Sequence, residues 1–436
     1  MRRFLVCLAA LLVMGIAPPA HASNDPAFNQ QWNLARMNVP PAWGASTGAG
    51  VTVGVVDSGV QADHPDLAGR VAASTRCTSG SADPNADCGG SGADSNGHGT
   101  HVSGIIAATK DNGQGVAGVA PSAQLVVARV FDDGDSTTGN DVMAGAMWAV
   151  NHGAKIVNFS LGDAGFLGLG LFVSNDLVKQ VAAAVWNAGA IPVVAAGNGS
   201  CANWAGTEAV VVAASGPSDE EASYSCSAGS ALRGVLAPGG NSSSCESNEG
   251  ACVLSTWKDS QYAYVQGTSM AAPAVSGALA LLLGQNLDRT TALNRLMSNL
   301  DAASCRGCKG KVNVSRAVCG ASCPAASTPS GGGGGVPVAA APQRPARASN
   351  PRPATVPAVT TPTTVAPTTT TEATTTTTEA PTTTTGGIAL APKRANSDSG
   401  VPIAAGLIAI AGLLTAAVGT AYEWLQRRRS TVTTLP

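Results

Sequence analysis

The chain reads as an α/β protein built on a mainly parallel sheet, and three observations carry that reading. Six short apolar, β-rich runs, at 50–57, 124–131, 154–162, 190–198, 209–215 and 233–239, are continuous rather than alternating, as strands covered on both faces should be. Longer helical stretches at 99–109, 138–153, 174–189 and 269–285 alternate with them, the βαβα order of a sheet with helices on both faces, a three-layer domain. At 436 residues and 44% apolar the chain can bury a large core. Charge, aromatics and complexity all change near residue 320, so the folded domain is assigned to residues 23–320.

Residues 1–22 read as a secretory signal peptide: Arg2 and Arg3, an apolar run from Phe4 to Ala17, and Ala20-His21-Ala22 as a small-x-small cleavage site. Residues 321–400 are Pro, Thr, Ala and Gly, including "TTPTTVAPTTTTEATTTTTEAPTTTT". Too little apolar bulk repays ordering there, so a disordered stalk is expected, with a coil span of roughly 50 Å. Residues 401–425 are expected to form a C-terminal transmembrane helix, since Ile403 to Ala421 carries no charge. Tyr422 and Trp424 suit the interface, and Arg427 to Arg429 place the tail at 426–436 on the cytoplasmic side. The expected location is the cell membrane, single-pass, with the folded head extracellular.

Within 24–320, 15 Lys and Arg stand against 23 Asp and Glu, a formal charge of −8. That argues against nucleic acid as a partner and favours bound cations. Eleven cysteines are present, and Cys7 leaves with the signal peptide. The other ten suit up to five disulfides in an exported chain, with Cys77 to Cys88 and Cys245 to Cys252 the shortest loops to close. A zinc site in "CRGCKGKVNVSRAVCGASC" is the alternative for the last four.

Four loci sit at element ends, where α/β folds gather function. Asp57 closes the first strand in "VVDSGV", where turn chemistry is the plain alternative. His98 and His101 open a helix in "NGHGTHVSG". They suit a general base with an open approach between glycines, or a metal pair that lacks a third ligand. Ser269 follows Gly267-Thr268 before an apolar helix, as a nucleophile at the positive helix end or as a helix cap. Asn198 ends "IPVVAAGN", as an oxyanion donor or as a turn residue.

The blocks "VVDSGV", "HGTHVSG", "AAGN" and "GTSMAAPAVSG", in that order, resemble the signatures of the subtilases, the subtilisin-like serine proteases. The resemblance covers roughly residues 25 to 320. It implies a subtilisin-like serine endopeptidase in which Asp57 orients His98, His98 takes the proton of Ser269, and Ser269 attacks a peptide carbonyl. Asn198 and the Ser269 N–H hold the oxyanion. It also implies that a protein or peptide substrate pairs as a strand with Ser160-Leu161-Gly162 and with Ala195-Ala196-Gly197. The second segment walls a pocket for a sizeable apolar residue before the scissile bond.

The family often binds structural calcium, and "ATKDNGQGVAG" is similar to its loop. The resemblance implies Asn112 as a side-chain ligand, carbonyls of Thr109, Gln114 and Val116, and the carboxylates of Asp66 and Asp25. Two features depart from secreted subtilisins. The short stretch between the cleavage site and Asp57 leaves no room for a folding-assisting propeptide. The stalk and anchor instead resemble the mycosins, membrane-anchored subtilases of actinobacterial type VII secretion, without their N-terminal extension. The alternative function is accordingly a protease-like scaffold or processing subunit with a secretion-complex partner, its catalysis secondary. A zinc hydrolase using His98 and His101 is a further alternative.

Overall fold

The apolar runs pair side by side in one seven-stranded sheet. In the computed structural model, which describes residues 23–78, 88–161, 174–245 and 248–320, its strands are β1 (Thr52–Asp57), β2 (Val71–Arg76), β3 (Gln124–Arg129), β4 (Ile156–Phe159), β5 (Ile191–Ala195), β6 (Val210–Ser215) and β7 (Arg233–Pro238). Their spatial order is β2-β3-β1-β4-β5-β6-β7, with every neighbouring pair parallel. A separate antiparallel hairpin joins β8 (Val253–Trp257) to β9 (Gln261–Val265). Chain contacts divide the protein into Met1–Val336 and Pro337–Pro436, and every described residue belongs to the first unit. The expected signal peptide, stalk, transmembrane helix and tail lie outside the described residues. Among the described residues no helix is long and apolar enough to cross a membrane.

The helices are α1 (Trp32–Arg36), α2 (His98–Ala107), α3 (Gly139–Asn151), α4 (Asn175–Asn187), α5 (Thr268–Leu283), α6 (Arg289–Ser298) and α7 (Val314–Cys319). Alternate strand residues turn to opposite faces. Val53 and Val55 of β1 therefore pack with α2 and α5, and Val56 packs with α3 and α4. The three layers expected from the sequence are thus present. Local capping starts the outer helices: Thr138 and Asp141 form a reciprocal capping box on α3, and Ser174 accepts from Leu177 N–H on α4.

β2, β8 and β9 escaped the sequence reading, β2 and β9 for a common reason. β2 lies at the sheet edge with alternating exposure and carries Ser74, Thr75 and Arg76, while β9 is mostly exposed or half-buried. A search for continuous apolar runs finds central strands and passes over such edges.

Disulfides join Cys77 to Cys88, Cys201 to Cys226, Cys245 to Cys252 and Cys305 to Cys308, and Cys319 is also disulfide-bonded. Both short-loop pairings are found. The zinc alternative for the C-terminal cluster is overturned, because Cys305, Cys308 and Cys319 have no thiolate left to give a metal.

His101 ties the hairpin to α2. Its Nε2 lies 3.2 Å from the Val253 carbonyl and 3.0 Å from the Ala263 carbonyl, while Nδ1 is buried without a partner. Burial, only partly opposed by the Ala263 carbonyl, pushes its pKa down from 6.5 to about 3. Unfolding frees this ring to bind a proton, so stability falls as pH drops below 6.5, by up to about 1.4 kcal/mol per pH unit. Melting curves between pH 7 and 4 are expected to show a steeper loss for the wild type than for His101→Gln. Equal slopes would remove His101 as the cause.

Candidate active site

The sheet order brings β1, β4 and β5 together, so their C-terminal ends deliver Asp57, Ser160 and Asn198 to one edge of the domain. The first turns of α2 and α5 bring His98 and Ser269. Contact between α2 and the turn after β1 depends on a missing side chain. A Cβ on Gly99 would stand 2.1 Å from the Gly59 carbonyl oxygen and 3.2 Å from the Asp57 Cβ. Glycine there lets the helix approach, and His98 Nδ1 reaches Asp57 Oδ1 at 2.7 Å.

Asp57 Oδ1 also accepts from Ser58 N–H at 2.7 Å, and Oδ2 is buried without a partner. Both members of the pair are buried. Burial pulls the His98 pKa down, but the Asp57 charge, its hydrogen bond and the charge of Asp94 outweigh it, and the net shift is upward from 6.5. Nδ1–H therefore points to the carboxylate, leaving Nε2 to handle a proton. The metal-pair alternative fails on geometry, since His98 is committed to Asp57 and His101 to two carbonyls.

Ser269 is not the helix cap. Gly267 occupies the cap position, with φ at 149°, and Ser269 is the second residue inside α5. Its hydroxyl donates to the Ser160 carbonyl at 3.2 Å, and no Ser269–His98 hydrogen bond is formed. Pro273 explains the neighbouring contact. Proline has no N–H, so the Ser269 carbonyl four residues earlier loses its helical partner. The Ser160 hydroxyl takes that place at 2.8 Å. Asn158 Nδ2 donates to Ser160 Oγ at 2.9 Å, and Ser276 Oγ of α5 donates to Asn158 Oδ1 at 2.8 Å. This buried relay fixes the nucleophile's backbone against β4. Sequence reasoning missed Asn158 and Ser276, although a polar residue inside "AKIVNFSLG" and another inside "APAVSGALALLL" were visible signals.

Asn198 is held by its oxygen. Its Oδ1 accepts from Thr268 N–H at 3.0 Å and from Thr268 Oγ1 at 2.9 Å, which leaves the Nδ2 donors for a ligand. The backbone around it is laced to the next loop: Gly199 N–H donates to Tyr224 O, Cys226 N–H donates to Gly197 O, and the Cys201–Cys226 disulfide closes the turn. Thr268 was also missed.

The substrate-segment expectation needs correcting in part. Ala196 N–H donates to Val212 O and its carbonyl accepts from Trp204 Nε1. Gly197 N–H donates to Thr268 Oγ1 and its carbonyl accepts from Cys226 N–H. With those groups committed, Ala196 and Gly197 can wall a pocket but offer no free rung to a substrate strand. Ser160 and Leu161 are buried beside the nucleophile, and Gly162 lies outside the described residues.

Of the expected calcium residues, Asp25, Asp66 and Asn112 meet in one hydrogen-bond network. Asp25 Oδ atoms accept from the N–H groups of Asp111, Asn112 and Gly113, and Asp66 accepts from Val116 N–H and from Asn112 Nδ2. Asp66 also pushes the bordering Tyr262 phenol pKa up, after burial, the larger cause. Asn112 departs from the expected role: its Oδ1 accepts from Gln114 N–H, so its amide nitrogen faces Asp66. Among the described residues no group of three or more His, Cys, Asp or Glu could hold a metal ion. The carboxylates of Asp25 and Asp66 are thus directed at one loop, and the Thr109 hydroxyl oxygen in that loop is buried without a partner.

With this geometry in place, the comparisons agree with it. The subtilase family model matches residues 48–302. Thermitase from Thermoactinomyces vulgaris is 34% identical over 306 residues, covering 68% of this chain and 99% of thermitase. Subtilisin DY from Bacillus licheniformis is 34% identical over 283 residues, covering 62% and 91%. A solved protease structure from Pseudoalteromonas arctica has a TM-score of 0.57 at 29% identity, covering 69% of this chain and all of that one. The chain belongs to the subtilase family and is a serine endopeptidase.

Proposed function

We propose that the protein is an exported, membrane-anchored endopeptidase whose hydrolysis runs through Asp57, His98 and Ser269. The observation that carries the catalytic part is the 2.7 Å contact between His98 Nδ1 and Asp57 Oδ1, made from helix α2, which packs against α5. The Ser269 hydroxyl first rotates from the Ser160 carbonyl toward His98 Nε2. Nε2 takes the proton as Oγ bonds to the substrate carbonyl carbon. The oxyanion so formed is held by Asn198 Nδ2 and the Ser269 N–H at the positive end of α5. His98 then protonates the departing amine, the acyl-enzyme remains on Oγ, and water enters by the reverse proton path. Ser160 and Leu161 border the substrate, and Ala195, Ala196 and Gly197 wall the preceding side-chain pocket. Labelling of the purified head by a fluorophosphonate, lost in Ser269→Ala, tests the assignment; equal labelling would refute it.

Calcium is the structural cation of this reading, held by Asp25, Asp66 and the 109–116 loop, where it would draw two carboxylates and the loop together. Chelation is expected to lower the melting temperature of the head, with recovery on adding calcium. Saturation at a hundredfold excess over Kd is worth about 2.7 kcal/mol. No shift in either direction would remove the site.

The export and anchor assignments rest on the apolar runs at 4–17 and 403–421. In fractionated cells the full chain is expected to sediment with membranes, and a chain stopped at residue 400 to appear in the medium. Equal distribution of both would overturn the anchor. The mycosin-like architecture follows from that same anchor and carries no separate observation.

A further inference from the structure

The general base sits at an electrostatically awkward place. His98 is the first residue of α2, and the unpaired N–H groups of a first turn carry the positive end of the helix dipole. That field disfavours the imidazolium His98 becomes when it takes the Ser269 proton. The cap position is Gly97, left-handed at φ 111° and without a side chain, and the His98 N–H itself reaches only the neutral Asn96 Oδ1, at 3.3 Å.

Asp94, outside the helix, answers that field instead. Its Oδ1 accepts from Gly97 N–H at 2.8 Å, Asn96 N–H at 3.0 Å and Ser58 Oγ at 2.9 Å. Its Oδ2 accepts from Thr100 N–H at 2.8 Å and Thr100 Oγ1 at 2.6 Å. Ser58 Oγ in turn accepts from Gly99 N–H at 2.9 Å, and Ser58 N–H donates to Asp57 Oδ1. One carboxylate therefore grips the helix start directly and, through Ser58, the turn that follows Asp57.

We propose that Asp94 is a positioning residue for the reaction, a second carboxylate that holds the start of α2 in register with Asp57 and offsets the positive helix end as His98 becomes charged. The proposal rests on the reading of His98 as general base. The charge of Asp94 is also one of the causes that raise the His98 pKa, after burial, which opposes it, and Asp57. Other ionisable groups face this corner. Asp135 Oδ2 accepts from Asn96 Nδ2 at 3.3 Å, Lys258 Nζ donates to the Ser95 carbonyl, and His101 stands neutral one turn along α2. Asp133 is paired with Arg129 and Arg76, and α5 presents the uncharged Ser269. Asp94 alone among these bonds the N–H groups of the helix start.

The test is the pH profile of kcat/KM on a neutral chromogenic peptide, with active sites counted by fluorophosphonate titration. Asp94→Asn is expected to move the acid limb down by about half a pH unit or more. It should lower kcat per titrated site about tenfold, with KM changed by less than about twofold. Ser58→Ala cuts the link to Gly99 and keeps the charge, so its limb should stay in place. Asn96→Asp adds a carboxylate at the same helix start and should move the limb upward, which decides the matter if Asp94→Asn does not fold. An unmoved limb in Asp94→Asn, with only fewer titratable sites or a lower melting temperature, reduces Asp94 to a structural cap and overturns the proposal. So does an unmoved limb in Asn96→Asp. A wild type that neither labels nor cleaves would strike the reading of the site itself, a different failure.

Discussion

Ser269→Ala is expected to lower kcat/KM on the order of 10⁶-fold and to abolish fluorophosphonate labelling, while the head remains folded. The loss is large because no neighbouring group can replace the nucleophile: Thr268 Oγ1 is engaged with Asn198 and Gly197, and Ser160 Oγ with the Ser269 carbonyl. The fold should survive, since the Ser269 hydroxyl makes one hydrogen bond, to Ser160 O, worth about 1 kcal/mol. In the wild type, activity should fall as pH drops through the His98 pKa, which lies above 6.5. Kinetics on titrated enzyme, with a thermal melt of each protein, check all three statements. Residual hydrolysis within tenfold of wild type would transfer the chemistry to another residue.

Asn198→Ala is expected to cost about 10²–10³-fold in kcat with little change in KM, because the lost donor acts on charge that develops only in the transition state. A stability loss of about 1–3 kcal/mol should accompany it, since Thr268 N–H and Oγ1 both lose their acceptor in a half-buried place. Asn198→Asp separates the two effects. It keeps an oxygen for Thr268 but presents a second carboxylate oxygen to the oxyanion, so stability should recover while kcat does not. A kcat loss below threefold in Asn198→Ala would end the oxyanion assignment.

The residues that carry this chemistry were unevenly legible. Asp57, His98, Asn198 and Ser269 stand out because each is a polar residue where an apolar run begins or ends, within two residues of a glycine. Asn158 and Ser276 were readable in principle, as polar residues inside otherwise buried runs, but nothing local says that they answer each other. Asp94 was not readable. An acidic residue in "GGSGADSNG" suits any turn, and its five hydrogen bonds appear only when the loop folds back on α2. The cap reading of Ser269 failed because the cap position is set by where the chain leaves the hairpin, at Gly267, and not by the first hydroxyl before the helix.

The sequence by itself determined the layer architecture and the order of the four loci, because apolar periodicity and glycine placement act over a few residues, while short loops only singled out two of the disulfides that the structure shows. Tertiary structure alone decided which groups meet. The adjacency of β1, β4 and β5 carries Asp57, Ser160 and Asn198 to one edge, and the bare Gly99 lets α2 close on Gly59. Pro273 frees a carbonyl that Ser160, 109 residues away from Ser269, can fill. Such bonds depend on distances of a few tenths of an ångström between remote segments, and the linear pattern does not encode them.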